Sequence, residues 1–94
     1  MNDERRLAVA RRVVEAQKCF RVFTNYDTGE CWVKPATLQA MREAEQAFAN
    51  DEYDQAEHLS DVVLVMMHRD ISQYRADPKA WIVRVREQDH EATP

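Results

Sequence analysis

The sequence predicts an α+β fold: three α-helices, the last two an antiparallel helical hairpin, with a small antiparallel sheet made of a β-hairpin plus a C-terminal strand; a mostly helical bundle with an irregular hairpin is the runner-up. Three observations carry this. In residues 53–75 the apolar side chains Ala56, Leu59, Val63, Met66/Met67, Ile71 and Tyr74 recur at steps of three and four, the period of one helix face. In residues 19–34 the period changes around Tyr26-Asp27-Thr28-Gly29, a turn composition that includes the only glycine of the chain. Residues 81–86, WIVRVR, alternate with a period of two.

The first helix carries the stripe Val9, Val13, Ala16 and Phe20, widened by Leu7, Ala10 and Val14. Its cations fall on two flanks, since Arg5/Arg12 and Arg11/Lys18 are each seven residues apart. In the hairpin, Gly29 supplies the positive φ that a type I turn with a G1 bulge demands. That turn sets Asn25 opposite Cys31, Thr24 opposite Trp32 and Phe23 opposite Val33. Phe23, Cys31 and Val33 then share one face, and Phe20, Val22, Thr24 and Trp32 the other. Three helices cover only one such face, which leaves Phe20, Val22 and Trp32 as a docking face suited to a two-fold homodimer.

Pro35 and Thr37 open the second helix, with Thr37 as N-cap and Leu38, Met41 and Phe48 on its face. Asn50 serves as its C′ residue and Asp51 as N-cap of the next helix. Here AFANDEYDQAEHL, through Ala47, Phe48, Tyr53, Asp54 and Ala56, resembles the inter-helix turn of tetratricopeptide-type repeats. The resemblance covers about a dozen residues and occurs once, so it implies a way of packing an αα-hairpin and not a repeat array. In the long helix, residues 62–67 are apolar all round, which predicts a turn enclosed on more than one side. Val62-Val63-Leu64-Val65 alone would suit a strand, but no Gly or Pro lies between Ala36 and Asp77, and the flanks favour helix. Asp77-Pro78 ends that helix, and the strand after it points Trp81, Val83 and Val85 inward and Ile82, Arg84 and Arg86 outward. Residues 1–87 then form a single domain and residues 88–94 a polar, flexible tail.

Ninety-four residues accommodate one modest core. No apolar run approaches the roughly 20 residues that cross a bilayer. The first residues lack the apolar stretch of a secretory signal, so the two cysteines read as free thiols in a cytoplasmic setting.

Net charge is −4, and its layout is uneven. Residues 1–22 carry a net +3, whereas residues 43–61 hold seven carboxylates and no Lys or Arg. The acidic set Glu45, Asp51, Glu52, Asp54, Glu57 and Asp61 is therefore read as a surface steered towards a basic partner.

Enzymatic chemistry finds little support. Cys19, Cys31, His58, His68 and His90 lack metal-ligand spacing, and a single glycine cannot build a phosphate-cradling loop. The carboxylates cluster where solvent keeps them ordinary, with no sign of the desolvation that general acid–base work needs. No cofactor is implied. The expectation is a small non-catalytic protein that blocks or regulates a host or self-encoded partner with a basic, nucleic-acid-binding surface. Inhibitors of phages and mobile elements, anti-CRISPR proteins among them, are of this short, acidic type. The alternative is an antitoxin-like dimeric DNA regulator that uses Arg5, Arg11, Arg12 and Lys18.

Overall fold

The computed structural model describes residues 2–92, and among these it holds four helices and no strand. They are α1 (Asn2–Cys19), α2 (Pro35–Ala49), α3 (Tyr53–Ala76) and α4 (Pro78–Ala92), with a 3-10 turn, Phe20–Phe23, continuing α1. The fold is all-α, and the expected sheet fails at both of its parts for local reasons.

The hairpin fails because Phe20–Phe23 wind on as helix. The Thr24 hydroxyl donates to the Phe20 carbonyl at 2.8 Å and the Thr24 N–H to the Arg21 carbonyl at 3.3 Å, satisfying carbonyls that a helix end leaves open. One antiparallel bridge remains, Thr24 with Cys31, flanked by Asn25 N–H to Glu30 O and Trp32 N–H to Phe23 O, both 2.8 Å. This register is one residue off the expected pairing, and such a slip exchanges the faces. Cys31 is accordingly exposed, not set among core residues. The tip keeps its chemistry: Gly29 has φ 75°, and Asn25 Oδ1 accepts from the N–H groups of Asp27 and Thr28.

The C-terminal strand fails because WIVRVR satisfies two periods at once. Trp81 and Val85 share a face at spacing four as well as at spacing two, and in α4 they are buried while Val83 is 53% exposed. Asp77-Pro78 is a start signal as much as a stop. The Asp77 carboxylate accepts the Ala80 N–H at 3.2 Å, and proline fits the first turn of a helix. Residues 88–92, expected as tail, continue α4, whereas 93 and 94 lie outside the described residues.

The helical hairpin forms as expected, with its turn residues shifted by one. Asp51, not Asn50, takes the left-handed conformation, at φ 60°. Its N–H bonds to the Phe48 carbonyl at 3.1 Å and the Glu52 N–H to the Ala47 carbonyl at 2.9 Å, the paired closure of a Schellman motif. Asp51 thus closes α2 and does not cap α3. At the other end of α2, Pro35 occupies the first turn behind an extended Lys34, so Thr37 lies inside the helix and is fully buried.

α3 is the axis against which the others pack. α1 runs beside it in the same direction, Arg5 meeting Glu57 and Arg12 meeting Asp61. Between α1, α2 and α3 lie Val9, Val13, Met41, Val63 and Met67, with Ala16, Ala44, Ala47 and Ala56 buried where the helices approach closely. Beyond them Phe23, Val33, Trp81 and Val85 form a second, aromatic part of the same core. Trp81 stacks on Phe23 at 5.4 Å, Tyr74 meets Phe23 edge-on at 5.3 Å, and the Trp81 indole donates to the Trp32 carbonyl at 2.9 Å. The all-apolar turn of α3 is enclosed on one side only: Val63 and Met67 are buried, but Val65 is 71% exposed.

Candidate functional site

The acidic surface is partly neutralised from within. Arg5 binds Asp54 at 2.6 Å and Glu57 at 2.9 Å, and Arg12 binds Asp61 at 3.1 Å. These bonds, to Asp54 first and Glu57 next, hold the Arg5 guanidinium still more firmly protonated than usual. Glu45 accepts from Gln17 at 3.0 Å, and Asp51 from the Tyr53 hydroxyl at 2.9 Å. Burial and then that bond push the Tyr53 phenol up. Of the six carboxylates expected to face a partner, three are paired with the basic helix of the same chain, and Glu52 alone has no side-chain partner among the described residues. The reason is geometric: α1 lies along α3 with its Arg5/Arg12 flank towards the acidic turns.

The same packing divides the cations of α1. Arg5 and Arg12 turn to α3, while Arg11 and Lys18 lie on the outer face, so the four do not form one surface. With Arg11 and Lys18 on that outer face are Leu7 and Val14, 53% and 44% exposed. Two shallow depressions share Val14 and Lys18: one is bounded by Leu7, Ala10, Arg11 and Glu15, the other by Phe20, Arg21 and Tyr26. An apolar strip edged by Arg11, Lys18 and Arg21, and by the carboxylate of Glu15, therefore runs from Leu7 to the start of the 20–34 connection. Among the described residues Arg11, Lys18 and Arg21 enter no ion pair. Leu7 and Val14 are in the sequence as extensions of a core stripe. Only the depth at which α1 sits shows that they face solvent.

The expected docking face is covered in part by its own chain. Trp32 is half-buried and stacks on Tyr74 at 6.5 Å, Phe20 packs against the core, and of the three only Val22 is exposed, at 38%. Arg86 donates to Glu30 at 2.6 Å across this region, and with the nearby Trp32 indole it holds the Glu30 carboxyl below its ordinary range. That indole is aimed towards Glu30 but makes no hydrogen bond of good geometry.

One polar cluster escaped sequence reasoning. Asp70 is buried on the inner face of α3, where its Oδ2 accepts from the Thr37 hydroxyl at 3.1 Å and its Oδ1 lies 3.8 Å from Lys34 Nζ. The Lys34 ammonium in turn sits over the Trp81 ring, 4.9 Å from its centroid. The signal was available, since Asp70 keeps the spacing of Val63, Met67 and Tyr74. With Asp70 and Thr37 buried and Lys34 reaching in from the partly exposed edge, the cluster fastens the start of α2 to α3 and α4. Among the described residues no three His, Cys, Asp or Glu side chains gather as a metal site would require. Cys19 is half-buried, and burial followed by the nearby Glu15 raises its thiol pKa. No helix is long and apolar enough to cross a membrane. Comparisons with protein families, curated proteins and solved structures give no match for the chain.

Proposed function

We propose that the protein acts by binding, without chemistry of its own, and that it engages an acidic partner protein through the outer face of α1. The observation that carries this is the strip of Leu7 and Val14 beside the unpaired Arg11 and Lys18. Exposed aliphatic side chains bordered mainly by cations, with Glu15 the one carboxylate lining the depression, suit a protein surface, where a central apolar contact excludes water and rim charges steer the encounter. A nucleic-acid backbone would use the cations but leave Leu7 and Val14 without a role. The polarity is the reverse of the one read from composition, because α1 spends Arg5 and Arg12 on the acidic hairpin.

The test is capture from host lysate on immobilised protein at low and high salt, with three variants beside the wild type. Leu7→Asp/Val14→Asp should abolish capture of the partner. Arg11→Glu/Lys18→Glu should weaken it most at low salt, and Asp51→Asn/Glu52→Gln should leave it unchanged. Loss of capture in the last variant alone would return the interface to the acidic turn. Recovery of nucleic acid in place of protein would overturn the reading in favour of phosphate contact.

A further inference from the structure

We propose that α3 pairs with α3 of a second copy of this chain across a two-fold axis at Val65. Val62, Val65 and Met66 form an apolar patch on the outer face of α3, rimmed by His58, Asp61 and Arg69. The chain itself leaves this patch open, Val65 being the most exposed large aliphatic side chain described. It belongs to a turn whose composition calls for cover on every side.

The charges name the occupant. Asp61 lies four residues before Val65 and Arg69 four after it. In an antiparallel helix pair crossing at Val65, Asp61 of each copy faces Arg69 of the other, so one symmetry operation makes two ion pairs. Within one chain the two cannot meet, because eight residues of helix separate them by about 12 Å. Arg69 has no ion pair among the described residues, and Asp61 is paired there only with Arg12, in a contact open to solvent. An apolar centre with opposite charges at equal distances on either side is complementary to itself. A three-residue apolar centre places the contact in the small, transient class, below about 1,200 Å2 in total. It is separate from the outer face of α1.

Sedimentation of the full chain from micromolar to millimolar concentration tests this. The wild type should show a monomer–dimer equilibrium, and Val65→Glu should be monomeric throughout. Asp61→Arg and Arg69→Asp should each weaken association by more than about tenfold, since each sets like charges together twice. Mixing those two variants should restore association, because every charge then meets its opposite in the mixed pair. That rescue separates a docking effect from a folding effect. A wild type monomeric at millimolar concentration, a dimer that survives Val65→Glu, or a mixture no tighter than its parts would each overturn the proposal.

Discussion

The two ends of α3 are held by different physics. At its start, by the α2–α3 turn, the contacts are backbone closure through Asp51 and exposed ion pairs to Arg5 and Arg12. At its finish, Tyr74, Phe23, Trp81 and the buried Asp70 bring four separate stretches of chain together. Local rules suffice to build the first end, whereas the second exists only once α4 and the 20–34 connection have found each other. Stability should be concentrated accordingly.

Substituting Trp81 should give the largest effect. Trp81→Ala removes a fully buried side chain, its stack on Phe23 and its bond to the Trp32 carbonyl, and should cost about 3–5 kcal/mol in chemical denaturation. A loss below 1 kcal/mol would mean that α4 is only loosely docked. Next is Asp70→Ala, which strips Thr37 of its acceptor and Lys34 of its counter-charge and should cost about 1–3 kcal/mol. A double-mutant cycle with Thr37→Val isolates the hydrogen bond from the packing.

At the opposite end the effects shrink and can change sign. Asp51→Gly removes the cost of a left-handed non-glycine residue and should stabilise by up to about 1 kcal/mol, whereas Asp51→Ala should destabilise. Equal effects of the two would show that the Tyr53 bond, and not φ, governs the turn. The smallest change is expected from Arg5→Gln/Arg12→Gln, whose ion pairs are open to solvent. Its difference from wild type in urea melts should vanish as salt shortens the Debye length from about 10 Å to about 3 Å.

This contrast also explains what the sequence made legible. The helical hairpin, with Ala44, Ala56, Val63 and Met67 inward, follows from one period sustained over two adjacent elements. The Gly29 tip follows from turn chemistry. The α+β class was wrong because the supposed C-terminal strand is a short run in which helix and strand periods agree on Trp81 and Val85, and because Phe20–Phe23 had no marked stop before Thr24. The candidate surface suffered from a related limit. Charge along the chain says how many carboxylates there are, and only the seating of α1 says which of them Arg5 and Arg12 have already taken. Asp70 was readable as a carboxylate in core phase, but its partners Thr37 and Lys34 come from the start of α2 and the residue before it.

The close turn between α2 and α3 also bears on the order in which the chain folds. Its backbone bonds join residues no more than five apart, so the two helices can meet with little loss of loop entropy. α1 reaches α3 only after the 20–34 connection and α2 have been spanned, and Trp81 needs both. The rate-limiting ensemble should therefore contain the α2–α3 pair and lack the aromatic end. In φ-value terms, Ala44→Gly and Ala56→Gly should slow refolding, whereas Val9→Ala and Trp81→Ala should act mainly by hastening unfolding. The most stabilising region of the molecule would then be the last to assemble.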